Sequence, residues 1–125
     1  MNRTIAILFG ALIALFQPNG SNAAEEHAVI VYVVMSNPGF GTKEELAELF
    51  KFEEQVASAI ERAHAGEHDG NEVGGGEFTI YCYGPNGDKL FAAIEPVLNK
   101  SKFKKNVRVV VRYGKPGEKQ TERRL

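Results

Sequence analysis

The stretch GEHDGNEVGGGEF, residues 66–78, decides how this chain folds. It leaves a helical pattern and enters an apolar alternating one, so it is either an irregular loop or a polar strand closed by a tight turn. If residues 67–73 pair as a strand, Gly74-Gly75-Gly76 supplies the reversal, because glycine takes consecutive positive-φ positions at little cost. Glu67, His68, Asp69 and Glu72 then sit well at a sheet margin, where charge and a broken apolar pattern oppose pairing with other chains. As a loop, the same residues leave the order β-α-β-α-β.

Working outward, EFTIYCY (77–83) alternates, with Phe78, Ile80 and Cys82 on one side and Thr79, Tyr81 and Tyr83 on the other. AVIVYVVM (28–35) is near-continuous and β-branched, the composition of a central strand covered on both faces. VRVVVRY (107–113) reads as the last strand, with Val107, Val109, Val111 and Tyr113 opposite Arg108, Val110 and Arg112. Between the first two strands, Thr42-Lys43-Glu44-Glu45 is a T-x-x-E capping box. The helix it opens carries Leu46, Leu49, Phe50, Val56, Ile60 and Ala63 as a stripe, and Gly66 suits its left-handed end. A second helix has Asn86 as N-cap and Leu90, Phe91, Ile94, Val97 and Leu98 on one side, with Pro96 expected to kink or end it. The strand reading of residues 67–73 gives β-α-β-β-α-β, which resembles the ferredoxin-like architecture and puts 107–113 at an edge of the sheet. The expected fold is therefore α+β: a four-stranded antiparallel sheet with two helices on one face.

The N-terminus reads as an address. Arg3, the apolar block from Ile5 to Phe16, the breakers Pro18 to Gly20 and the small residues Ser21-Asn22-Ala23 predict a signal peptide over 1–23, cleaved before Ala24. The block is shorter than the roughly 20 residues a membrane span needs, so no integral membrane segment is expected after cleavage, and a retained anchor is the other reading. The expected location is periplasmic or secreted. One domain over 24–114 follows, then a charged tail, 115–125, without an apolar stripe. Formal net charge is −1, which gives no electrostatic argument for nucleic acid or anionic membrane as a partner. Cys82 is the one cysteine, so no internal disulfide forms.

Motifs that carry chemistry are few. His64-Ala65-Gly66-Glu67-His68 spells H-x-x-E-H, but that zinc-peptidase chemistry needs both histidines on one intact helix, and Gly66 interrupts it. A looser metal site could draw on His64, His68 and Asp69. Gly39-Phe40-Gly41-Thr42 lies before a helix, yet Glu44 and Glu45 occupy its first turn and repel an anion. Cys82 shares its strand face with Phe78 and Ile80 and reads as a small hydrophobe. The lysines around Phe103 (Lys100, Lys102, Lys104, Lys105) complement a helix end and keep its loop solvated. No cofactor and no catalytic residue is expected.

One surface stands out. With the helices on a single face, the other face would display Tyr32, Thr79, Tyr81, Tyr83, Arg108 and Arg112, or on the first strand the alternates of Ile30, Tyr32 and Val34. Tyrosine and arginine among aliphatics is a composition enriched in protein interfaces. The expected function is an exported binding or interaction module that meets a protein partner or forms a homodimer through this face. The alternative is a small ligand- or metal-binding enzyme with its site at loops 39–42 and 64–71.

Overall fold

A computed structural model describes residues 26–125, and the expected signal peptide with its cleavage point lies outside them. The chain runs β1 (His27–Val34), α1 (Lys43–Ala63), β2 (Glu67–Gly74), β3 (Glu77–Gly84), α2 (Gly87–Lys100), a short 3₁₀ turn (Lys104–Asn106), β4 (Val107–Arg112) and β5 (Gln120–Arg123). The fold is α+β, with two helices and one antiparallel sheet of five strands in the order β2-β3-β1-β4-β5.

The stretch 66–78 is a strand and a turn. Residues 67–74 pair along β3, and Gly75 and Gly76, at φ 61° and 84°, make the two-residue reversal, a combination suited to consecutive glycines. The turn is held from outside as well. Met35 N donates to Gly76 O at 2.8 Å and Gly76 N donates to Gly39 O at 2.9 Å, so the β1–α1 loop folds over it.

The strand count is five, not the expected four. Gln120–Arg123, in the segment read as a tail, pairs with Val109–Arg112, and so β4 is interior instead of an edge. Arg123 explains why a polar segment adds a strand. Its guanidinium meets Asp88 on α2, donates to Tyr113 Oη at 2.9 Å and lies 5.0 Å from the centre of the Phe91 ring. Four residues with no apolar stripe are thus tied to the second helix by one side chain.

Alternation divides the sheet. Val29, Val31, Val33, Phe78, Ile80, Cys82, Val109 and Val111 form one core with Leu49, Phe52, Val56 and Ile60 of α1 and Leu90, Phe91, Ile94 and Leu98 of α2. The stripe on α1 is rotated from the expected one: Phe52, Glu53 and Ala59 are buried, whereas Phe50 is exposed. Thr42 caps α1 through Oγ1, which accepts from Glu45 N at 3.0 Å. The other half of the capping box is redirected, since the Glu45 carboxylate accepts from Ser36 N and Ser36 Oγ in the preceding loop. His64, at φ 52°, takes the left-handed position that ends α1. Gly66 instead serves a close approach to β3. Pro96 stays within α2, which continues to Lys100. The first strand, expected to be covered on both faces, has Val29, Val31 and Val33 fully buried on its helix-facing side; on the other side Ala28 and Ile30 are buried and Val34 is 52% exposed.

Candidate functional site

The face of the sheet opposite the core is built by register. Across the strands, Tyr83 and Arg112 flank Ala28, Tyr81 and Val110 flank Ile30, and Thr79 and Arg108 flank Tyr32. All six residues singled out in the sequence (Tyr32, Thr79, Tyr81, Tyr83, Arg108 and Arg112) therefore share this face. Period-two alternation places them there once Phe78, Ile80 and Cys82 enter the core. Ala28, Ile30, Thr79 and Val110 are buried in its floor, and Tyr32, Tyr81, Tyr83 and Arg112 are half-buried around them.

Several of these side chains are already fixed. The Arg108 guanidinium lies 4.1 Å from the centre of the Tyr32 ring, a cation–π distance. Arg112 Nε donates to Gly114 O at 2.9 Å, and Tyr81 Oη donates to Glu72 Oε1 at 2.7 Å. Tyr32, Thr79 and Tyr81, with Glu72 and Glu77, line a shallow groove of about 360 Å³.

The Glu72 carboxylate accepting its proton pushes the Tyr81 phenol up from 10.0 to about 12, aided by partial burial. An absorbance titration should show a tyrosine ionising near pH 12, and Glu72→Gln should return it toward 10. If the titration is unchanged by that substitution, the Tyr81–Glu72 bond is not present in solution.

The residues with metal-ligand chemistry go elsewhere. α1 ends at Ala63, so His64 is its C-cap and His68 belongs to β2; the H-x-x-E-H spacing never lies on one helix. His68 Nε2 is 2.5 Å from Glu53 Oε2, and Asn71 Nδ2 donates to Glu53 Oε1 at 2.8 Å. Asp69 is the extra residue of a bulge between His68 and Gly70 and is exposed. Among the described residues no group of three His, Cys, Asp or Glu is placed to hold a metal ion. Sequence reading missed Glu53. Its signal was present, because positions 49, 52, 53, 56 and 60 fall on one helical face and 53 is the only charged member.

The loop at 39–42 turns its amides inward: Gly39 N and Gly41 N both donate to Asn37 Oδ1, at 2.9 and 3.0 Å. Cys82 is buried in the core, and burial pushes its thiol up from 9.0 to about 12. A thiolate is the reactive form, so Cys82 should resist alkylation at pH 8 in the native protein and react once the protein is unfolded; mass spectrometry reads this directly. The unfolded thiol ionises near 9.0 and the folded one near 12, so the folded state holds the extra proton between them. Its contribution to stability is complete below pH 9 and is lost as pH rises through 12.

Among the described residues no helix is long and apolar enough to cross a membrane. No protein-family model matches the chain, and neither curated proteins nor solved structures yield a match to it.

Proposed function

We propose that this chain is an exported, non-catalytic binding module that associates with a second copy through the open sheet face. Its frame is ferredoxin-like: β1-α1-β2-β3-α2-β4 with the order β2-β3-β1-β4 supports that reading, β5 being an addition. Export rests on the leader pattern of residues 1–23.

The observation that carries the function is the makeup of the open face. Tyr32, Tyr81 and Tyr83 surround a floor of Ala28, Ile30 and Val110, Val34 is 52% exposed beside them, and Arg108 and Arg112 stand on the flank. Tyrosine and arginine over an apolar centre form the composition of an interface core. The four long strands have six to eight residues each. At about 3.4 Å per residue and 4.8 Å between strands, the five-strand face projects roughly 500 Å². Two such faces bury about 1,000 Å², just under the roughly 1,200 Å² at which stable interfaces begin and in the range of weak, transient ones. The association expected is micromolar.

Light scattering on the purified protein tests it. Over about 10 µM to 1 mM, the mass should rise from monomer toward dimer, and Tyr81→Ser should weaken the dimer at least about tenfold, or 1.4 kcal/mol. A monomer at every concentration, or a dimer indifferent to Tyr81→Ser, contradicts the proposal.

A further inference from the structure

The open face carries its charges in an uneven way. On the β2 side stand Glu67 and Glu72, in register with Tyr83 and Thr79, and Glu77 opens β3 beside them. On the other side stand Arg108 and Arg112 of β4, and Arg124 lines a groove with Arg108 just past β5. Glu122, paired with Val110, is an acid on that side. Between them β1, the middle strand, presents Ala28, Ile30, Tyr32 and Val34, none charged. The acidic side also holds the groove of about 360 Å³ lined by Tyr32, Glu72, Glu77, Thr79 and Tyr81. Two carboxylates beside the Tyr81 ring make that groove a receptor for a cation, the Tyr32 ring being held by Arg108 of its own protomer. The basic side supplies guanidinium groups in Arg112 and Arg124 as well as Arg108.

Two identical faces meet in an isologous pair through a two-fold axis lying between them. An axis across the strands sets β2 over β2 and β4 over β4. Glu72 then approaches Glu67 of the second copy, and Arg108 approaches its Arg112. An axis along β1 sets β2 over β5 and β3 over β4, and keeps each cross-strand row opposite itself. Thr79 then faces Arg108 of the second copy, Glu72 faces its Arg124, and Glu77 faces its basic turn Lys104–Asn106. Gly70 faces Glu122, and a Cβ at Gly70 meets nothing within 4 Å, so there is room for that carboxylate. Sheets packed face to face lie about 10 Å apart, within reach of interdigitating arginine and glutamate side chains.

We propose that the second copy docks about a two-fold axis running along β1, with the acidic β2 side of each protomer holding the arginines of the other's β4–β5 side. This rests on the self-association proposed above and adds its geometry and its selectivity, because like charges across an interface reject the other orientation.

Neutralisation separates the two orientations by sign. Glu72→Gln with Glu77→Gln removes attraction if the axis runs along β1, and the dimer Kd should rise at least about tenfold. If the axis runs across the strands the same change relieves repulsion and Kd falls. Val34→Cys, spin-labelled while buried Cys82 stays unlabelled, gives an independent reading. Val34 lies on the proposed axis, so labels on the two copies should sit within about 20 Å of each other. The other axis separates them to about 30 Å, from about 3.4 Å per residue along the strand. A dimer with the longer distance or a tighter Kd overturns this orientation and leaves self-association standing. A protein that stays monomeric in light scattering overturns both.

Discussion

Gly66→Ala is expected to cost about 3 kcal/mol or more and to lower the melting temperature by roughly 12–20 °C. A Cβ on Gly66 would lie 2.1 Å from Tyr83 O and 2.9 Å from Gly84 Cα. Both obstacles are backbone, so neither can rotate away. Gly84 meets the same restriction from the other strand, with a Cβ 2.3 Å from Ala65 O. The two glycines let the exit of α1 cross the end of β3, where the Glu67–Tyr83 pairing begins. Widening that crossing peels β2 from β3 and removes the Glu72 side of the open face. Gly39→Ala is the control, since its Cβ meets only Asn37 Oδ1, at 3.6 Å; it should stay within about 1 kcal/mol. Thermal unfolding of the two variants compares them directly, and equal melting points would contradict the crossing as described.

The second large effect concerns Glu53. Its carboxylate is buried in the stripe of α1 and is held by His68 and Asn71 of the edge strand. Removing both partners leaves a buried carboxylate without those bonds, and His68→Ala with Asn71→Ala should cost about 3 kcal/mol. The lower end of the range for buried pairs applies because His68 is partly exposed to water. Adding Glu53→Leu to that double variant should recover much of the loss, because an aliphatic side chain suits the core without partners. Denaturant unfolding of the three proteins gives the comparison. If Glu53→Leu deepens the loss, the carboxylate contributes something other than its bonds to β2. β2 is held to β3 by its ladder and by Val73 against the core, and this bridge adds a polar tie from the edge strand to α1.

Much of this architecture could be read from residue patterns. The central strands declared themselves through β-branched runs, and both helix starts through Thr42 and Asn86, whose side chains accept the amides expected of N-caps. The glycine turn at 75–76 was legible because few other residues fit it. Three of the departures have a tertiary cause. Glu53 was passed over because a carboxylate in an apolar stripe becomes sensible only when its partners arrive from β2, 15 and 18 residues away. β5 was passed over because its anchor is Arg123 reaching α2, a tertiary contact with no local periodicity. The helix end was placed at Gly66 by preference for glycine, whereas His64 takes the left-handed position and Gly66 answers a steric demand from β3. The candidate surface was legible to the extent that alternation is: one face assignment on β3 fixed Thr79, Tyr81 and Tyr83 together. The arrangement of charge across it needed the strand order, which sets Glu72 and Arg108 on opposite sides of Tyr32.

The most direct measurement is an amide NMR dilution series, with resonances assigned and spectra taken from about 1 mM downward to separate dimer from monomer. Association through the open face should give concentration-dependent shifts at Tyr32, Val34, Thr79, Tyr81, Tyr83, Arg108 and Arg112, with α1 and α2 unmoved. Shifts confined to the outer surfaces of the two helices, or none at any concentration, would contradict it.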